Sequence, residues 1–358
     1  MKRVQFDRED VLQKIDRIVN RTFEMDHVWD WPAGVAFYGV GLAYEATKKD
    51  AYLQRLKEWF DEYMDYGIPP MCVNIVSMGH TLLTLYQHTG EEKYLQLAIE
   101  KADYLLHDAP RFAEGVFQHT VGGGVSVFPE QAWVDTLFMA GYFLIRMGDA
   151  LNNQAYMDEG IRQFRGHEKY LQDPETNFYY HGWDHLSQSN MSGIFWARGN
   201  AWAAYTMAAS LRMIDVKEPA FMEIHGSLRD LMSALLNVQS EQGLWHTILT
   251  DPSSYEETSG SAGIAAALVL QGANTPKGHH AAQRAFDALL EKVDARGTVL
   301  GVSTGTAVMN HADGYRMTPN RRIEGWGQGL ALTFFSHVLM RYTETEQESE
   351  PPVESETR

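Results

Sequence analysis

VNIVSMGHTLLTLYQHTGEEKYLQLAIEKADYLL, residues 73–106, reads as two helices of different kinds joined by a short polar turn. The first half is apolar on nearly every face, the pattern of a helix covered on all sides. The second half, KYLQLAIEKADYLL, places its apolar residues three and four apart. That spacing buries one stripe and leaves the other face in water. The unit is therefore one buried helix followed by one half-exposed helix.

The unit recurs along the chain. Gly-, Ser- or aromatic-rich turns run into strongly apolar helices at Gly34, Val73, Glu130, Trp196, Glu257 and Glu324. Successive starts lie roughly 40–65 residues apart, at or above the usual helical-repeat periods. The turns Thr47–Tyr52 and Thr89–Tyr94 match in length and character. An open solenoid would need polar end caps and similar loops throughout. Here the loops after the second helices are long and individual, as in FQHTVGGGVSVFPEQ and YYHGWDHLSQSNMSGIFWARGN. Six buried helices with six outer partners close naturally into an all-α (α/α)6 barrel. The inner N-termini then point to one end, where the long loops meet. Only short pieces such as GLWHTILT alternate like strands, so β structure is minor. Residues 1–342 form one catalytic domain on this reading. Residues 343–358 form an acidic tail too poor in apolar residues to pack, expected to be disordered.

Composition narrows the function. A formal net charge of -17 argues against nucleic acid and anionic membrane as partners. Cys72 is the only cysteine, which excludes an intrachain disulfide and a thiolate zinc cluster. The N-terminal MKRVQFDREDVLQKIDRIVN lacks an apolar signal core, and no stretch is apolar enough to span a bilayer, so a cytoplasmic location is expected. Nine Trp and 17 Tyr suit a cleft that stacks on rings, or a large aromatic core. The sequence leaves the oligomeric state open.

Several residues stand out at the expected bowl. Asp135 follows Pro129 by six residues at the head of the third apolar helix, and a Pro commonly opens a helix. Asp135 is then either a first-turn acid favoured by the helix dipole or a buried carboxyl with a raised pKa, suited to a general acid. Arg198 in FWARGNAW is either a fork for a substrate carboxylate or half of a structural ion pair. His181 and His185 have metal-ligand spacing but lie in a loop without a third ligand, so neither metal nor cofactor is expected. Glu257 and Glu324 read as helix caps. Trp31, Trp183, Trp245 and Trp326 are sugar platforms or core. Gly122–Gly124 reads as a flexible loop.

At these residues the sequence resembles glycoside hydrolase family 105, the unsaturated rhamnogalacturonyl hydrolases, and more distantly family 88, the unsaturated glucuronyl hydrolases. PEQAWVDTLFMAGYFL, YYHGWD, FWARGNAW, YEETSGSAGIAAAL and GWGQGLAL carry the resemblance, in that order, from about Trp29 to about Tyr342. It implies the (α/α)6 barrel, and a glycosidase that removes a 4,5-unsaturated galacturonyl or glucuronyl residue from the non-reducing end of short oligosaccharides made by lyases. Such an enzyme hydrates the C4=C5 double bond, with one Asp serving both proton steps. That Asp corresponds to Asp135. Trp133, His181, Trp196 and Arg198 match other active-site positions of the family: the tryptophans flank the sugar, and His181 and Arg198 hold its hydroxyls and carboxylate. The chain departs from the family at the second inner helix, where a second Asp is usual and Asn74 stands instead. Asn74 can hydrogen-bond a hydroxyl or water but cannot ionise.

Two other classes remain open at this point. An inverting glycosidase would need a second carboxylate across the cleft, and a sugar epimerase would use His residues such as His80, His181, His246 or His311. A non-catalytic carbohydrate-binding protein would keep the Trp platforms alone.

Overall fold

The computed structural model describes residues 4–122, 128–272 and 275–347. After α1 (Arg8–Phe23) the chain runs as helix pairs. These are α2 (Trp31–Thr47) with α3 (Asp50–Tyr66), α4 (Gly79–Thr89) with α5 (Glu92–His107), and α6 (Phe143–Leu151) with α7 (Gln154–Leu171). Then come α8 (Ala197–Ser210) with α9 (Pro219–Asn237), and α10 (Thr258–Gln271) with α11 (Pro276–Glu291). A short α12 (Ala312–Arg316) precedes the final α13 (Gly325–Gln347). The first member of each pair, with α13, forms an inner ring in which each touches the next, the third through the helical stretch Leu137–Tyr142 that leads into α6, and α13 returns to α2. The fold is the (α/α)6 barrel.

Burial follows the sequence pattern. Every residue of α8 is buried, whereas α5 buries only Tyr94, Leu97, Ala98, Lys101, Ala102 and Leu105. The turns between paired helices are short because four inner helices end on a left-handed residue: Lys48 (φ 56°), Gly90 (φ 71°), Asn152 (φ 50°) and Gly272 (φ 83°). Such a cap satisfies a last-turn carbonyl while reversing the chain, as the Lys48 N–H does on Tyr44 O at 2.7 Å. Ring closure between α2 and α13 depends on glycine. A Cβ on Gly39 would lie 2.3 Å from Gly329 O, and one on Gly329 would lie 2.1 Å from Val35 O.

Two features differ from the sequence reading. The sixth outer helix is α1, which comes from the start of the chain and packs on α13 and α2. Pro129 does not open the third inner helix. Glu130 adopts φ 51°, strand β3 follows, and helical structure begins only after Val134. Apart from isolated bridges, the β structure among the described residues consists of two antiparallel ladders. Strand β1 (Arg111–Phe112) pairs with β2 (Val116–Phe117), and β3 (Gln131–Trp133) pairs with β4 (Gly182–Asp184). Helix α13 continues to Gln347, five residues into the segment assigned to the tail, and 348–358 lie outside the described residues. Of the glycine run at 122–124, only Gly122 lies within them.

Candidate active site

The β3–β4 ladder builds the centre of the bowl. It sets Trp133 opposite Gly182, and the Val134 N–H then donates to His181 O at 3.0 Å. Two loops distant in sequence are thereby locked together, and His181 faces Asp135, with Nε2 3.4 Å from Asp135 Oδ2. The Asp135 carbonyl accepts from the Phe138 and Met139 N–H groups, so the residue sits at the head of the third inner helix. That helix begins with a π-helical stretch, Leu137–Tyr142, before it becomes α6. Such bulges are rare and concentrate at functional sites.

A cavity of about 270 Å³ opens above this pair. Trp31, Asn74, His119, Phe128, Trp133, Asp135, Trp196, Arg198 and the loop Gly305–Ala307 line it. Asn74 enters from the short turn that leads into α4, where the sequence places it. Trp196 caps α8 and lays its ring 4.2 Å from His181. On the other side His119 stacks flat on Trp133, at 4.2 Å and 6° between planes. Trp31 stacks on Trp326 at 4.5 Å and 22°. Two buried polar atoms on cavity-lining residues, Asn74 Oδ1 and Trp196 Nε1, have no hydrogen-bond partner among the described residues, and Asp135 Oδ2 is met by His181 Nε2 at the long distance of 3.4 Å. Orphaned buried polar atoms are costly, and a cluster of them inside one cavity marks a place built to receive polar groups of a ligand.

The electrostatics decide a direction that the sequence leaves open. Burial pushes the Asp135 carboxyl up, but the His181 hydrogen bond and the nearby His119 and Arg198 more than offset it. Its pKa lies below the ordinary carboxylate value, not above it. Burial lowers both histidines, His119 to about 4, so they are neutral at pH 7. The lasting positive charge at the cavity is Arg198, the one Lys or Arg among its described lining residues. Its fork is already engaged. Nη1 donates to Ser259 Oγ (3.2 Å), Ser303 O (3.2 Å) and Ser303 Oγ, while Nη2 donates to Thr304 O (3.1 Å) and Thr306 Oγ1 (3.2 Å). Glu257 Oε1 lies 3.6 Å from Nη1, and Trp196 and Trp326 cover the guanidinium at 4.3 and 5.4 Å. Arg198 thus has a buried carboxylate partner in Glu257 and also stands at the wall of the cavity. Glu257 caps α10 as expected, accepting from Ser259 N and Gly260 N.

A family model, Glycosyl Hydrolase Family 88, matches residues 5–342. The chain belongs to glycosyl hydrolase family 88. It is 55% identical over 339 residues to the unsaturated rhamnogalacturonyl hydrolase YesR of Bacillus subtilis (strain 168), covering 95% of this chain and 98% of that one. An unsaturated 3S-rhamnoglycuronyl hydrolase of Formosa agariphila is 26% identical over 248 residues, 65% of this chain and 64% of the other. Among solved structures, a possible member of glycoside hydrolase family 105 from Klebsiella pneumoniae superposes with a TM-score of 0.89 at 26% identity, covering 96% of each chain.

Within this family member, the sequence-predicted residues Asn74, Trp133, Asp135, Trp196 and Arg198 line one cavity, and His181 stands directly behind Asp135. Trp183 instead stacks on Tyr170 at 5.7 Å, and Trp245 is fully buried with its N–H donated to Leu235 O. His80 is buried in the aromatic core, its Nε2 2.9 Å from Phe138 O, and His246 and His311 do not line the cavity. Asp135 is the one carboxylate among the described lining residues, so the pair an inverting glycosidase needs is not brought together there. Sequence reasoning missed His119, Tyr315 and the Gly305–Ala307 loop. The His119 signal was present in FQHT, beside the glycine run. Tyr315 and the loop carry no local pattern that points to a site.

Proposed function

We propose that this protein is an unsaturated rhamnogalacturonyl hydrolase, releasing a 4,5-unsaturated uronic acid from the non-reducing end of short oligosaccharides. The near full-length 55% identity to an enzyme of that name supports the reading. The observation that carries the mechanism is a single cavity-lining carboxylate that shares the cavity with two orphaned polar atoms, Asn74 Oδ1 and Trp196 Nε1. One acid–base group suits hydration of an enol ether. Asp135 gives its proton to C4 and takes one from a water that adds at C5. The resulting hemiketal opens at the bond between C5 and the ring oxygen, and the hemiacetal at C1 then expels the partner sugar. Asn74 bonds a sugar hydroxyl or that water through Oδ1. Trp133 and Trp196 bound the ring, and Arg198 supplies positive potential opposite the uronate while holding the 303–306 loop in shape.

The lowered pKa of Asp135 fits this scheme. Asp135 rests ionised, and an arriving uronate adds a like charge and excludes water, both of which raise its pKa. The acid form then becomes populated where it is needed. Since kcat/KM reports the free enzyme and kcat the complex, the alkaline limb of kcat is expected at higher pH than that of kcat/KM. Coincident limbs would remove the substrate-driven shift. The direct test is incubation with lyase-digested rhamnogalacturonan. Loss of the ultraviolet absorbance of the C4=C5 double bond is the expected outcome. Release of saturated sugar with the absorbance intact would overturn the reading.

A further inference from the structure

Tyr315 lies on α12, outside the barrel helices, yet it is completely buried and reaches the back of His181. Its hydroxyl oxygen is 2.8 Å from His181 Nδ1 and 3.3 Å from Ser192 Oγ, and it accepts the Met309 N–H at 3.2 Å. The count of protons decides the direction of these bonds. Met309 N can only donate, so it occupies one lone pair. Tyr315 has a single proton to give, to His181 or to Ser192. If it went to Ser192, His181 would carry its proton on Nδ1. A bare Nε2 lone pair would then face Asp135 Oδ2 at 3.4 Å, acceptor against acceptor, in a buried site. The other arrangement satisfies every atom. Ser192 donates to Tyr315, Tyr315 donates to His181 Nδ1 along the shorter contact, and Nε2–H points at Asp135.

We infer that Tyr315 is a positioning residue that fixes the Nε2–H tautomer of His181 and, through it, the proton affinity of Asp135. The inference rests on the reading of Asp135 as the acid–base group. The tautomer matters most when Asp135 is protonated. An Nδ1–H imidazole would accept the carboxyl proton on Nε2 and hold it away from the sugar. An Nε2–H imidazole cannot accept it, so the proton stays free to reach C4. The other groups facing Asp135 are His119, which is neutral, and Arg198, whose charge is fixed; Glu257 and Glu324 act on Arg198 from behind. None of them has a contact that sets the His181 tautomer.

The experiment separates the tyrosine from the carboxylate. Imidazole 15N NMR of Asp135→Ala removes the carboxylate that also favours Nε2–H, and so reads what the Tyr315 contact contributes to the choice of tautomer. The expected result is His181 protonated on Nε2, changing to a mixture or to Nδ1–H in Asp135→Ala/Tyr315→Phe. A mixed or Nδ1-protonated His181 already in Asp135→Ala overturns the inference. In the otherwise unaltered enzyme, Tyr315→Phe is expected to lower kcat with little change in KM. It is also expected to move the alkaline limb of kcat up by about one pH unit, a tenfold change in the protonation equilibrium. Ser192→Ala, which leaves the donation to His181 in place, is expected to keep the wild-type profile. A fall in activity in Tyr315→Phe with an unmoved limb would assign Tyr315 to packing alone and overturn the inference. Full turnover in Asp135→Asn would sink the catalytic reading separately, since the NMR result does not depend on turnover.

Discussion

Two buried polar clusters are built from the inner helices of this barrel, and they are finished differently. In one, the Tyr38 hydroxyl contacts those of Tyr142 (2.9 Å) and Tyr205 (2.5 Å), and Tyr205 reaches His337 Nε2 at 3.1 Å. This cluster ties four inner helices together, and each of its three hydroxyls has a partner. The other cluster, around Asp135, leaves Asn74 Oδ1 and Trp196 Nε1 unpaired beside a cavity and meets the carboxylate with His181 at only 3.4 Å. A satisfied buried network rigidifies a core, while an unsatisfied one loses stability unless a ligand completes it. The difference separates a structural cluster from a functional one without reference to residue type.

The largest expected effect follows from the unfinished cluster. Asp135→Asn should lower kcat by roughly 10²–10⁴-fold with little change in thermal unfolding, because the amide oxygen can still accept from His181. Steady-state kinetics and a melting curve on one preparation check both halves. The finished cluster should behave in reverse. Tyr38→Phe removes the hydroxyl shared by two tyrosines and should cost about 1–3 kcal/mol of stability in denaturant unfolding, with kcat close to wild type. A kinetic defect without a stability loss would break the comparison.

Lys101 sharpens it. This residue of α5 is fully buried with no hydrogen-bond partner for Nζ among the described residues; the Trp29 ring lies 5.4 Å away, and the influence of Cys72 and Glu100 does not offset burial. Burial lowers its pKa from 10.5 to about 8. An orphaned group outside any site should cost stability and serve no turnover. Lys101→Met is therefore expected to be more stable than wild type at pH 7 by about 1–3 kcal/mol, with unchanged kcat. The sign of the pH dependence follows from proton binding. Between pH 8 and 10.5 the unfolded chain holds the lysine proton and the folded one releases it, so wild type gains stability and the two curves converge. Parallel unfolding curves across that range would count against a buried charge at Lys101.

The smallest effect tests the departure at Asn74. Asn74→Asp places a second carboxylate at the same cavity, which should raise the Asp135 pKa and weaken uronate binding. A shift of about one unit in the alkaline limb of kcat, with a higher KM, is the expected outcome. An unchanged profile would put Asn74 out of electrostatic reach of Asp135.

Much of this architecture is legible in residues 73–106 and their repeats. An inner helix must be apolar all round and an outer one on a single stripe, and those periodicities are local properties of the chain. Asp135 and Asn74 are legible for a related reason: a polar residue at the head of an otherwise apolar inner helix can only face the open end of the barrel. Other properties depend on atoms distant in sequence. Nothing local tells that α1 closes the ring beside α13, or that Glu130 turns the chain into a strand before the third inner helix. The direction of the Asp135 shift stayed open in the sequence for the same reason. Burial is visible in the flanking Trp133, Leu137 and Phe138, but the groups that outweigh it are His181, His119 and Arg198, brought in by other loops. Arg198 reads as a substrate fork or an ion pair until Glu257 and the 303–306 loop are seen to occupy it. Sequence by itself determined which helices are buried and which carboxylate stands at their mouth, because periodicity and composition act over a few turns. Only the tertiary structure decided the proton on His181, the charge on Asp135 and the partners of Arg198, because hydrogen bonds and electrostatic fields depend on distances in space.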